Sequence, residues 1–440
     1  MNTPIFDFVK EYAKSGSVRL HMPGHKGASI LGCEALDITE IDGADSLYEA
    51  SGIIKESENN ASLLFGCDTF YSTEGSSQCI RAMLYLALLQ AKKAKKKPLV
   101  LASRNAHKVL LSAAAMLDFD IEWLHGGDTY LSCDIGAKDV ESAILRYSPA
   151  AVYLTSPDYL GNTLDIEKIS EVCKKHNVLL LVDNAHGAYL RFLENSQFPT
   201  DLGADMCCSS AHKTLPVLTG GAYLHIADSG ISENAKNALA LFGSTSPSYL
   251  ILQSLDLANK YIDNGYKEKL CMFANEVRRL KDALIKSGYR LIGNEPLKIA
   301  VAAKEYGYCG SELAAILKEK GFVCEFCDND FTVLMLTPEN GGINEIKAAM
   351  LAIPKRKPLY SAPPVFHKCE RIMSVREAAF AENETVNICD ALGRVLAVST
   401  VGCPPAVPIV MCGERIDEKA IECFKYYGIT KCIVVKNADA

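Results

Sequence analysis

Two short stretches hold the residues most able to do chemistry, DNAHGAY at 183–189 and SSAHKTL at 209–215. An apolar run precedes the first, so Asp183 is expected at the carboxyl edge of a strand, where ligands of open α/β sheets lie. Lys213 follows another strand-like run thirty positions later. Such a lysine can form a Schiff base with an aldehyde cofactor, while the aspartate keeps a pyridine nitrogen protonated. Alone, Lys213 reads as a solvated lysine and Asp183 as a helix cap; their joint placement points to pyridoxal 5'-phosphate. A third stretch, STEGSSQCIRAML at 72–84, puts Gly75, Ser76 and Ser77 at a predicted helix start. Exposed amides, the helix dipole and two hydroxyls there suit a cofactor phosphate. Glycine and serine also begin helices simply as caps, so this signal gains weight only from its place ahead of the other two.

These residues need a scaffold that carries them to one edge. Helical periodicity follows Gly75 through the lysine-rich run ending at Lys97, Pro98 interrupts it, and LVLA at 99–102 begins a buried-strand pattern. The lysines read as a solvated helix end complementing the dipole. Further strands are expected at 121–124, 151–154, 178–182, 206–209 and 221–226, separated by helical segments such as DIEKISEVCKKHN at 165–177. Alternation of this kind predicts an α/β domain whose mainly parallel sheet is covered on both faces. Helices after Pro247 run to about Lys286, and shorter elements then suggest a smaller α+β domain. A proline-rich segment at 354–366 marks the clearest later boundary, followed by a helix near MSVREAAFAE and a strand-rich tail. The expected division is 1–55 as an N-terminal arm and interface segment, 56–287 as the large cofactor domain, 288–356 as the small domain and 357–440 as a C-terminal segment.

Composition narrows the function. The chain has 440 residues, 49% hydrophobic and 22% charged, enough for a substantial core and unlike a disordered protein. A formal charge of -7 opposes nucleic-acid or anionic-membrane partners. The N-terminus lacks a signal-peptide pattern and no apolar run approaches the roughly 20 residues that cross a bilayer, so a cytoplasmic protein is expected. The 17 cysteines are scattered and odd in number, which reads as reduced core thiols. Cys324 and Cys327 form one CxxC without a second ligand pair. His21 and His25 are four apart, but Pro23 and Gly24 break the helix that would pair them on a metal, and no metal is expected.

Read together, HMPGHKG (21–27), EIDGADSLYEASGIIKESE (40–58), STEGSS (72–77), RNAHK (104–108), DNAHG (183–187), SSAHKTLP (209–216) and STSPSY (244–249) resemble the Orn/Lys/Arg decarboxylase family of fold-type I pyridoxal-phosphate enzymes. MSVREAAFA and CPPAVPIVMCGE extend the resemblance almost to the end of the chain. It implies that Lys213 holds the cofactor covalently and that Asp183 pairs with the pyridinium nitrogen. It implies His107 stacked on the ring, although a helix-start histidine is the plain alternative. Ser76 and Ser77 match phosphate contacts, Ser210 and His212 match residues beside the phosphate and the lysine, and His212 is a proton donor. Ala185 and His186 flank the ring site, with His186 equally readable as a satisfied structural histidine. Thr245 and Ser246 resemble a segment reaching the phosphate from a neighbouring subunit, which implies a homodimer or higher homo-oligomer; a turn before Pro247 competes. HMPGHKG implies approach to the active site or subunit interface. The start close to that motif resembles the short form of the family, without a flavodoxin-like N-terminal domain.

The implied activity is loss of carbon dioxide from a basic amino acid, arginine ahead of lysine and ornithine, giving the amine in a polyamine-forming context. Another pyridoxal-phosphate transformation, an aminotransferase or lyase reaction, remains open, as does a catalytically weak regulatory homologue. The pattern departs from the family at Val109, where serine commonly stands, and at Ala406, Val407 and Cys412. Glu414 is a candidate for the substrate's basic end or for a surface or capping acid.

Overall fold

The computed structural model describes residues 1–127, 130–365, 367–399 and 407–436, so Ala406 lies outside the described residues. The chain divides into two compact units, Met1–Lys96 with Ile166–Cys271 and Lys97–Asp165 with Met272–Ala440. Seven strands form a mixed, mostly parallel sheet: β1 (Asp68–Ser72), β2 (Leu99–Ser103), β3 (Asp120–Leu124), β4 (Ala151–Thr155), β5 (Leu179–Asp183), β6 (Met206–Ser209) and β7 (Ala222–Ile226). Within the first unit the strand order is β1-β7-β6-β5, and within the second it is β4-β2-β3.

In the first unit, α1 (Pro4–Lys14) and α2 (Ile53–Phe65) precede β1, and α3 (Ser76–Lys93) follows it. Helix α3 buries Cys79, Ile80, Met83, Leu84, Leu86 and Ala87 at helical spacing and ends in lysines ahead of Pro98. Strand β5 is parallel to β6 in register Asp183 with Cys208; β6 is buried along its length and β5 from Leu180 onward. The sheet is less uniformly parallel than the alternating pattern suggests. Strand β7 runs antiparallel to both β6 and β1; residues 210–221 between β6 and β7 hold only the four-residue α-helix Ala211–Thr214, so no crossover helix returns the chain for parallel pairing. Strand β1 was not among the expected strands: DTFYS has no apolar run, yet four of its five residues are buried.

In the second unit, β2 is parallel to β3 and to β4. Four antiparallel strands, β8 (Leu291–Ile292), β9 (Lys298–Ala302), β10 (Phe326–Cys327) and β11 (Phe331–Met335), form a sheet in the order β10-β11-β9-β8. The expected strand-rich tail is present as β12 (Asn383–Asn387), β13 (Leu396–Val398) and β14 (Lys431–Val435) in the order β12-β14-β13. The helix Glu418–Tyr426 packs Ala420 and Phe424 into the same core as Leu396 and Val434. The helix expected near MSVREAAFAE is Val375–Phe380, begun by a capping box between Ser374 and Glu377. Among the described residues no helix is long and apolar enough to cross a membrane, and every described cysteine is free, Cys324 and Cys327 included.

Candidate active site

Asp183 is the last residue of β5, and Ser210 to Lys213 follow the last residue of β6, so strand register alone brings both motifs to one edge of the first unit's sheet. Backbone bonds fix the two loops together: Asn184 N donates to Cys208 O at 3.0 Å and Ser210 N to Ala185 O at 3.3 Å. Asn184 also donates its side-chain amide to Ser209 Oγ at 3.1 Å. Gly187 is required by close approach, since a Cβ there would lie 2.0 Å from Asn184 Oδ1.

Lys213 Nζ lies 3.1 Å from His186 Nε2. An ammonium has only donors, so the lysine donates and His186 accepts. That contact brings together two residues from different motifs. Ala185 is buried beside it. Asp183 is 3% exposed; its Oδ1 accepts from Ala185 N at 3.1 Å and from the Cys208 thiol at 3.7 Å. Burial, with the Asp183 carboxylate adding to it, pushes the Cys208 thiol well above its usual range, so the sulfur stays a donor.

His212 donates Nδ1–H to Gly221 O at 2.9 Å, which assigns the tautomer, a carbonyl being only an acceptor. Burial lowers its pKa; the Gly221 carbonyl opposes the shift and Lys213 adds to it. The imidazole is therefore neutral near pH 7, with Nε2 as an acceptor, and it acts as a proton donor only after first taking one up.

Ser210 Oγ donates to Ser76 Oγ at 2.9 Å, joining the third motif to the second. Gly75, the residue before α3, adopts a left-handed φ of 70°, and its N donates to Gly220 O at 2.7 Å. No side-chain hydrogen bond caps this helix start, and a Cβ on Gly75 would meet nothing within 4 Å. The donor set fits a phosphorylated aldehyde with a ring nitrogen. It offers hydroxyls and helix amides for an anion, an amine for an aldehyde, and a buried carboxylate for a pyridinium.

The remaining expected residues have surroundings of their own. His107 belongs to the second unit, half-buried between β2 and the helix Val109–Leu117, where Nδ1 accepts from Val109 N at 3.2 Å. Thr245 and Ser246 are exposed, and Ser246 N turns back on Ser244 Oγ at 3.1 Å. Glu414 is not a surface acid. It is 4% exposed, accepts from Met411 N at 2.8 Å and lies 3.9 Å from Arg104 Nη2. Arg104 in turn donates to the carbonyls of Pro408 and Ile409, both at 2.8 Å. His21 pairs with Tyr12 at 2.6 Å and His25 with Asp37 at 3.2 Å, so each histidine has its own partner. Two features of the second unit escaped the motifs. One is a cavity of about 850 Å3 whose wall includes Asn105, Thr155, Lys304 and Asp330. The other is the convergence of His367, Cys369 and Asp417.

The profile of the Orn/Lys/Arg decarboxylase major domain matches residues 3–287, and that of the family's C-terminal domain matches 366–434. The chain belongs to the Orn/Lys/Arg decarboxylase family. It is an amino-acid decarboxylase by that membership, and its fold is that of fold-type I pyridoxal-phosphate enzymes. An arginine decarboxylase of Halalkalibacterium halodurans is 29% identical, covering 94% of this chain and 91% of its own length. An arginine decarboxylase of Bacillus subtilis is 26% identical over 100% of this chain and 94% of its own. Lysine decarboxylase A from Pseudomonas aeruginosa shares the fold with a TM-score of 0.78 at 17% identity, over 98% of this chain and 80% of its own.

Proposed function

We propose that this family member decarboxylates a basic amino acid with pyridoxal 5'-phosphate, arginine ahead of lysine and ornithine, to give the amine and carbon dioxide. The observation that carries the reading is the 3.1 Å approach of Lys213 to His186 on the edge that also bears Asp183. Arginine is favoured because, by sequence, the two arginine decarboxylases match 94% and 100% of the chain at 29% and 26% identity, whereas a lysine decarboxylase of Pseudomonas aeruginosa matches 59% of it at 24%. When bound, the cofactor supplies an electron sink for the pair left behind by departing carbon dioxide.

The protein's own groups do the rest. Asp183 would hold a proton at the ring nitrogen. Lys213 would hold the cofactor through its amine, beside His186, whose Nε2 lies 3.1 Å from Nζ, within proton-transfer distance. His212 Nε2 is a second acceptor on the same short helix. Ser76, Ser77 and Ser210 would hold the phosphate, with Gly75 shaping the helix start that carries the first two. By the family resemblance, His107 would cover the ring, and Thr245 and Ser246 would reach the phosphate of a second copy in a homodimer. The protein acts in the cytoplasm and its product enters polyamine formation.

The test is incubation of the cofactor-loaded protein with arginine, lysine and ornithine separately, identifying products by mass. Borohydride reduction followed by peptide mapping locates the cofactor. A pyridoxyl label on Lys213 with agmatine formed from arginine is the expected result. A label on Lys213 with none of the three amines overturns the substrate class while leaving the cofactor assignment standing.

A further inference from the structure

His367, Cys369 and Asp417 bring three atoms of metal-ligating type within 4.8 Å of one another. His367 Nε2 lies 2.6 Å from Asp417 Oδ2 and 3.8 Å from Cys369 Sγ. Both neighbours therefore converge on a single imidazole nitrogen. That nitrogen carries either one proton or one lone pair, so it can donate to the carboxylate or accept from the thiol, never both. Pairwise hydrogen bonding leaves one of the two unserved; a cation at the centre of the triangle serves all three.

The dimensions suit a small divalent ion. Bond lengths of about 2.3 Å to sulfur and about 2.0–2.2 Å to nitrogen and oxygen place tetrahedral ligand atoms roughly 3.3–3.6 Å apart. The observed separations bracket that range. An imidazole, a thiolate and a carboxylate together balance a charge of two, and the mixed sulfur and nitrogen donors favour zinc over magnesium or calcium.

The supports are independent of one another. Cys369 is 3% exposed and packs in the core that contains Ile388 and Phe424, which fixes its sulfur. Asp417 precedes the helix Glu418–Tyr426, and its Oδ1 accepts from Ala420 N at 2.8 Å, which orients the carboxylate and leaves Oδ2 toward the histidine. The Asp417 side chain is 45% exposed, so a fourth position open to water remains on that side.

We propose that His367, Cys369 and Asp417 bind one zinc ion, with water as fourth ligand, joining the entry of the C-terminal region to the helix that begins 51 residues beyond His367. On binding, Cys369 releases its thiol proton to solvent as sulfur bonds to the metal, with no change of oxidation state. The ion acts as a clip on this region, remote in sequence from the lysine and aspartate motifs.

The experiment uses the full-length, tag-free protein. Zinc content is measured by elemental mass spectrometry, and cobalt(II) is titrated as a probe because a cobalt-thiolate bond gives a charge-transfer band. Expected results are about one zinc per chain and a cobalt-thiolate band. Cys369→Ser should abolish the band, and His367→Gln should weaken binding roughly tenfold or more. A Cys324→Ser, Cys327→Ser double variant keeps both signals. Asp417→Asn retains a helix-capping oxygen, so its weakened binding separates ligand loss from misfolding. Wild-type protein without stoichiometric zinc or a cobalt-thiolate band overturns the site, as does a band that survives Cys369→Ser.

Discussion

The loops around Lys213 and the buried pair Arg104–Glu414 treat charge in opposite ways. Lys213 is half-buried and stands 3.1 Å from the His186 ring nitrogen, a proton-accepting type of group. Arg104 is 4% exposed, and its guanidinium does not titrate in the working range. Two carbonyls at 2.8 Å and a carboxylate at 3.9 Å hold it in place. The first arrangement can move protons; the second can only hold a fold. Charged groups at a strand edge beside a base are therefore the place to look for turnover, and charge locked on backbone carbonyls the place to look for stability.

The largest effect expected from that contrast is on rate. Lys213→Ala should lower kcat by roughly 10⁴-fold, the upper end of what a positioned proton-transfer group contributes, while leaving thermal stability near that of the parent. Steady-state decarboxylation and calorimetry check it together. Loss of folding with loss of activity would erase the distinction between the two regions.

Arg104→Met should do the reverse, destabilising the second unit by about 3–5 kcal/mol because Glu414 is left buried without its cation. Urea unfolding followed by fluorescence reads this locally. Trp123 is the sole tryptophan, and the Arg104 guanidinium stands 5.6 Å from its ring. A shift below about 1 kcal/mol would show the pair to be incidental.

The same contrast explains what was legible in the sequence. Asp183, His186, Ser210, His212 and Lys213 sit in two contiguous motifs at the ends of adjacent strands, so local pattern plus the rule that ligands gather at strand carboxyl edges was enough to bring them together. Ser76 with Ser210 was readable because a helix start announces itself through Gly75. The Arg104–Glu414 pair spans 310 positions, and Glu414 looked like a possible surface acid, because nothing near either residue signals the other. Likewise, His367 and Cys369 lie 50 and 48 positions before Asp417. Strand β1 was missed for a related reason: Asp68–Ser72 is mixed in polarity, and its burial comes from pairing with β7, a long-range event. The antiparallel sense of β7 goes with the absence of a crossover helix after β6, which a pattern of alternating elements does not report.

A smaller effect tests whether histidines in one unit divide the same way. His225 is fully buried, its Nδ1 3.0 Å from Thr69 Oγ1 and its ring 4.6 Å from Phe65, and burial lowers its pKa to about 3. Its folded value lies below the unfolded value of about 6.5, so the unfolded chain binds more protons between these limits. Stability therefore falls as pH drops below about 6.5. From pH 6.5 to 5 the wild type should lose about 2 kcal/mol relative to His225→Phe, measured by denaturant unfolding at each pH. Equal losses in both proteins would mean that the histidine already charges in the fold.

The smallest expected effect decides what the hydroxyl pair at the start of α3 is for. Ser210→Ala removes the donor to Ser76 Oγ at 2.9 Å. If the pair only ties two loops together, the cofactor-free protein should lose about 1 kcal/mol of stability, the usual net value of one hydrogen bond, and cofactor affinity should stay put. If the pair faces a phosphate, the charged acceptor raises the stake to roughly 1.5–3 kcal/mol in binding, at least a tenfold weaker Kd, while the cofactor-free protein changes little because Ser76 stays half-exposed to water. We expect the second pattern. Fluorescence titration with pyridoxal phosphate against thermal melts of the cofactor-free protein separates the two. A stability loss without an affinity loss would move Ser210 from the cofactor's side of the comparison to the side occupied by Arg104.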